Sequence, residues 1–74
     1  MADHRTLNEA IITEIRVALA RRDITHLDFA RMCGWEPMYL SRRMTGQVPW
    51  SADDIDKVAR KLDLSVLHLN GGEQ

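Results

Sequence analysis

Arg42 and Arg43 stand side by side between Ser41 and Thr45, with Gln47 just beyond. A guanidinium is a planar fork of donors, suited to bidentate bonding with guanine edges and phosphates. On an arbitrary helix such a pair is a solvated face. The residues upstream give it a different setting. Ala30 lies four residues before Gly34, and Gly34 six before Leu40, with apolar residues on the inner faces between. Two helices that cross closely need a small residue at the crossing. The turn between them needs a residue that accepts positive φ, which glycine does at no steric cost. The second helix must turn a buried aliphatic inward and leave its other faces outward. The segment Thr25 to Ser41 meets all three demands, so its spacing is that of a helix-turn-helix and predicts a helix presented to DNA.

Other chemistries find less support. His4, His26, His68 and Cys33 lack zinc-ligand spacing,, and Met32, Met38 and Met44 are helix-spaced side chains that need no cofactor. No glycine-rich phosphate loop is present, and no nucleophile has a plausible base, so an enzyme is not expected. Asp53, Asp54 and Asp56 look like helix-start charge rather than a catalytic carboxylate pair. A single cysteine cannot form an internal disulfide, which suits a reducing cytosol,. The expectation is therefore a cytoplasmic protein with no metal, no cofactor and no small-molecule substrate.

The chain has 74 residues, enough for one small domain,. Charged residues make up 28% and hydrophobic residues 45%, an ordinary globular balance,. No apolar run approaches the ~20 residues of a membrane span, and no basic stretch leads into an apolar core as in a secretory signal. The net charge of −1 argues mildly against nucleic-acid binding. Its distribution softens that: residues 21–50 hold five Arg against Asp23, Asp28 and Glu36, and the acidic excess lies in the flanks,.

Cap signals predict where the helices fall. Thr6 and Glu9 form a capping-box pattern, followed by Leu7, Ile11, Ile15, Ala18 and Leu19 on one stripe to about Arg22,. Thr25 caps a second helix, with Ile24 and Phe29 as a hydrophobic staple, ending at Gly34. Pro37 suits the first turn of a third helix from about Glu36 to Met44-Thr45. Ser51 caps a fourth, with Trp50 and Ile55 as a staple and Ile55, Val58, Ala59 and Leu62 as its inner stripe. After a turn at Asp63-Leu64-Ser65, a short piece spans Val66 to Leu69. This predicts an all-α, compact five-helix single domain over residues 1–74, with an ordered core about 6–69 and the helix-turn-helix about 25–45.

Residues 25–49, from Thr25-His26-Leu27-Asp28-Phe29-Ala30 to Gly46 and Pro49, resemble the helix-turn-helix of the Cro and lambda-repressor type, the XRE family. Val58 through Leu67 resemble that family's fourth and fifth helices. The resemblance implies that helix 36–45 enters the major groove. Pro37, Met38, Ser41, Arg42 and Thr45 would fall on the face that meets it. Arg42 would read guanine, while Pro37 and Met38 would read shape or a thymine methyl. His26 stands where the family usually has a Gln that touches phosphate and braces the recognition helix. Arg43 stands where the family usually has an apolar residue, and its stem would cross the core to bring the guanidinium to a phosphate. Gln47, Trp50, Ser51 and the first N–H groups of the fourth helix would hold the DNA backbone. Trp35, just past the turn, is expected to be buried. Tyr39 could be core or a phosphate donor.

The resemblance further implies a sequence-specific regulator of the phage Cro class, a repressor that occludes a promoter. Its partner would be a pseudo-palindromic double-stranded operator bound by a homodimer, because one small domain presents little surface and two recognition helices are needed. Leu64, Val66, Leu67 and Leu69 are more aliphatics than a short terminal helix can bury, so they are the expected dimer contact. The competing expectation is a protein-interaction domain on the same fold, such as an antitoxin or adaptor.

Overall fold

The structure, a computed structural model, describes residues 6–64. These form four helices: α1 (Leu7–Arg21), α2 (His26–Cys33), α3 (Pro37–Met44) and α4 (Ala52–Leu62). The short piece expected at 66–69, with Val66, Leu67 and Leu69, lies outside the described residues. The all-α reading therefore stands with four helices among the described residues, not five.

The caps are where the sequence places them. Glu9 N–H donates to Thr6 Oγ1 while Thr6 N–H donates to the Glu9 carboxylate, closing the capping box,. Thr25 Oγ1 accepts from Asp28 N–H, and Ser51 Oγ from Asp54 N–H. Glu36 gives no side-chain cap, and Pro37 takes the first helical position instead,. At the other end of α2, Gly34 turns left-handed with φ 75°, which lets Trp35 N–H reach back to the Ala30 carbonyl at 2.8 Å,. That turn redirects the chain from α2 into α3.

Each helix C terminus, where carbonyls lack a partner within the helix, receives a basic side chain. Arg16 reaches the Met44 carbonyl of α3, and Arg22 the Leu62 carbonyl of α4 and the Ala18 carbonyl of α1. Lys57 reaches the Cys33 carbonyl of α2 at 3.1 Å. Opposite charge at the negative end of a helix dipole is favourable, and three of these contacts also tie one helix to another.

The core gathers Ile11, Ile12, Ile15, Ala18 and Leu19 from α1, Phe29, Ala30 and Cys33 from α2, Leu40 and Met44 from α3, and Ile55, Val58, Ala59 and Leu62 from α4. Ala30 is fully buried, as its place at the crossing requires. The α1 stripe differs at one place: Leu7, in the first turn, is 57% exposed, and Ile12 packs inward instead. Trp35 is half-buried rather than fully covered. Its indole meets Phe29 edge-on at 6.3 Å and lies 5.0 Å from Tyr39 and 5.9 Å from Trp50. Cys33 is buried, and burial pushes its thiol up from the ordinary 9.0.

Candidate nucleic-acid interface

At 100° per residue, an eight-residue helix with two inward side chains has three other sectors. In α3, Leu40 and Met44 point into the core. Met38, Arg42 and Thr45 project away from it and are exposed. Pro37 and Ser41 lie on the flank toward α2, where with Leu40, His26 and Leu27 they line a cleft of about 230 Å³. Tyr39 and Arg43 occupy the opposite flank, toward α4.

The outward sector has one strong donor group. The Arg42 guanidinium makes no hydrogen bond or ion pair among the described residues. Its backbone is firmly held, because the Arg42 carbonyl accepts from Gln47 N–H at 2.9 Å and Val48 N–H at 3.2 Å. Thr45 Oγ1 donates to the same carbonyl. That leaves the threonine hydroxyl oxygen as an acceptor and its methyl as apolar surface. Met38 is 58% exposed. Ser41, Gln47 and His26 are exposed, with side chains that bond nothing among the described residues.

Arg43 does not point to solvent. Its Nε donates to Asp54 Oδ2 at 3.1 Å and its Nη1 to the Tyr39 carbonyl at 2.9 Å. Its guanidinium lies over the Tyr39 ring, 3.5 Å from the centroid. Tyr39 in turn donates its hydroxyl to both Asp54 oxygens, at 2.7 and 2.9 Å. This hydrogen bond to the carboxylate, with burial, pushes the phenol up from its ordinary 10.0. The expectation that Arg43 sends its guanidinium to a phosphate is therefore corrected. The fork is drawn inward because a buried carboxylate on α4 needs a counter-charge. Tyr39 is settled by the same contact, as the carboxylate's donor.

Trp50 takes the buried place of a staple and not that of a contact to the DNA backbone. It is 7% exposed and belongs to the core. Its backbone N–H is taken by Asn8 Oδ1 at 2.9 Å. With the indole buried and the backbone N–H given to Asn8, Trp50 offers no exposed donor to a DNA backbone. Ser51 remains exposed, its oxygen accepting the α4 cap bond. Leu64 is partly buried against the core of its own chain, so little of it is left for a second copy.

Asp54 is the residue the sequence reading passed over as helix-start charge. It is buried at 8% exposure. The signal was in the spacing: Asp54 stands four residues before Val58, on the inner stripe of α4, and no solvated carboxylate belongs there. Among the described residues, no group of three or more His, Cys, Asp or Glu could hold a metal ion. No described helix is long and apolar enough to cross a membrane.

No protein-family model matches this chain, and no curated protein matches its sequence. The fold does have a solved counterpart. The crystal structure of the hypothetical transcription factor NHTF from Neisseria superposes with a TM-score of 0.82, over 93% of this chain and 79% of that one. The two are 20% identical, a level at which the likeness establishes the shared fold alone.

Proposed function

We propose that this chain is a sequence-specific double-stranded DNA-binding regulator of transcription, not an enzyme, and that it places α3 in the major groove. The observation that carries the reading is Arg42. It is a guanidinium with no partner among the described residues, at the centre of the outward face of the second helix of a helix-turn-helix, on a backbone fixed by three hydrogen bonds. In that position Arg42 bonds a guanine edge, and Ser41, Thr45, Met38 and Pro37 fill the groove around it. His26 at the start of α2, with Gln47 and Ser51 beyond α3, holds phosphates and sets the register. The fold shared with a hypothetical transcription factor from Neisseria supports the same reading.

The finer reading is a small repressor of the Cro kind, acting in a bacterial cytoplasm as a homodimer on a pseudo-palindromic operator. One recognition helix of eight residues covers too few base pairs for a unique site, and a twofold pair doubles the readout. Dimerisation would be weak in solution and strengthened when both copies share one site. Leu67 and Leu69 are the residues to test: replacing either with Glu should lower dimerisation and DNA affinity together.

One observation favours a second reading, a protein-interaction domain with weak or no DNA binding. Arg16, Arg22, Arg43 and Lys57 are all engaged within the fold, which withdraws four of the chain's ten Lys and Arg from phosphates. Selection from random duplexes followed by a salt titration separates the two. A regulator enriches a defined site and loses affinity log-linearly with salt, with a shallow slope of about −2 to −4 for the few phosphates it neutralises. A chain that retains no duplex at any salt belongs to the second reading.

A further inference from the structure

The helix α3 is short, and its two buried side chains, Leu40 and Met44, lie one turn apart. Packing against α2 and the Arg16 bond to the Met44 carbonyl also seat the helix, but apolar contacts slide more readily than directional hydrogen bonds. Among the described residues, no side-chain hydrogen bond joins α2 to α3 across this flank. The cleft between His26, Leu27, Pro37 and Ser41 stays open, and the His26 side chain bonds nothing across it. The α4 flank is different. Arg43 is held at Nε, at Nη1 and across its plane, and Tyr39 and Arg43 converge on one carboxylate. That carboxylate is itself seated, since Asp54 N–H is fixed by Ser51 Oγ and Ile55 beside it is in the core.

We infer that Tyr39, Arg43 and Asp54 form a positioning device that sets the roll of α3, and with it the direction in which Arg42 leaves the helix. The inference rests on the DNA-binding reading above and names what aims its central residue. The geometry makes the device sensitive. A roll of about 20° carries an atom ~6 Å off the helix axis, the outer radius of a helix, through about 2 Å. Hydrogen bonds to a base edge tolerate only a few tenths of an ångström around ~2.9 Å. The same roll pulls Arg43 Nε and the Tyr39 hydroxyl away from the Asp54 carboxylate on α4, so holding those bonds holds Arg42. Arg43 and Tyr39 are positioning residues in this account and touch no DNA.

The test uses the duplex selected by the unmodified chain and a variant duplex changed at the base pair most sensitive to Arg42→Ala. Arg43→Met keeps the apolar stem and removes the fork. Arg43→Lys returns the charge but not the stack. The expected result is that Arg43→Met shrinks the affinity ratio between the two duplexes by about tenfold, leaves affinity for random duplex unchanged, and is partly rescued by Arg43→Lys. If Arg43→Met does not fold, Tyr39→Phe decides, since it removes only one hydroxyl and should still narrow the ratio severalfold. Equal loss on all duplexes with a flatter salt dependence would make Arg43 a phosphate ligand and overturn the inference. An unchanged ratio in a folded variant would overturn it too, leaving the network a role in stability alone. An unmodified chain that selects no duplex defeats the DNA reading itself, an outcome visible before any variant is made.

Discussion

Arg43 on α3 and Asp54 on α4, eleven residues apart in sequence, meet through a 3.1 Å hydrogen bond with both side chains largely shielded from water. Neighbouring arginines on one helix thereby take opposite roles: Arg42 faces solvent with no partner among the described residues, and Arg43 serves the fold. The division follows from one carboxylate on the inner stripe of α4. An ion pair of this kind stabilises little in net terms when intact, yet removing one partner strands the other in a poorly hydrated place.

Alanine at the two arginines should therefore separate binding from stability. Arg42→Ala should leave the melting temperature within a degree or two and cost about 1–3 kcal/mol of affinity, concentrated at one base pair. Arg43→Ala should cost about 2–4 kcal/mol of folding stability by isolating Asp54 with only Tyr39. Duplex titrations with single-base variants, paired with thermal melts, check both. A uniform affinity loss for Arg42→Ala would assign it to phosphate, and an unshifted melt for Arg43→Ala would show the pair to be dispensable.

Ala30→Leu should destabilise the domain strongly. Ala30 has no exposed surface where α2 crosses its neighbours, and overpacking commonly costs about 1–3 kcal/mol. In a domain this small that lowers the melting temperature by roughly 5–20 °C. An unchanged melt would mean that the crossing has room for a larger residue.

Gly34→Ala separates conformation from contact. A Cβ at Gly34 would meet nothing within 4 Å, while φ stands at +75°. The whole cost is then backbone strain of about 1–2 kcal/mol, offset in part by a stiffer unfolded chain. A urea midpoint lowered by a net ~1 kcal/mol with an unchanged slope is expected. Gly34→Asn should lose less, because asparagine tolerates the left-handed region. A raised midpoint for either would contradict the strain account.

The Tyr39 hydroxyl should make the fold sensitive to alkali. Its proton is held more tightly in the folded chain than the ordinary 10.0, because the Asp54 carboxylate accepts it. The resulting stabilisation is present below about pH 10 and fades as pH rises through the higher folded value. The Cys33 thiol, raised from 9.0 by burial, acts in the same direction slightly earlier. Urea unfolding of the wild type and Tyr39→Phe between pH 7 and 11 isolates the phenol. The stability difference between them should be flat near neutrality and shrink above pH 10; a constant difference throughout would remove the phenol from the alkaline response.

Sequence alone determined what depends on local chemistry. Thr6, Thr25, Ser51, Pro37 and Gly34 fixed the helix boundaries because caps and left-handed turns act within a few residues of themselves. The aliphatic stripe of α4 follows from helical period, and the resemblance of residues 25–49 to a known helix-turn-helix implies that Arg42 faces outward. Tertiary structure decided what depends on which flank meets which helix. Arg43 and Arg42 are chemically alike and adjacent, so only the buried carboxylate across the α3–α4 contact could tell them apart. Trp50 was equally ambiguous, able to cover DNA or to fill a core, until packing beside Trp35 resolved it. Leu7 sits on the period of α1 yet is 57% exposed in its first turn, while Ile11 one turn on is buried. A period sets the angle around a helix, but where along its length a neighbour reaches is set by the other elements.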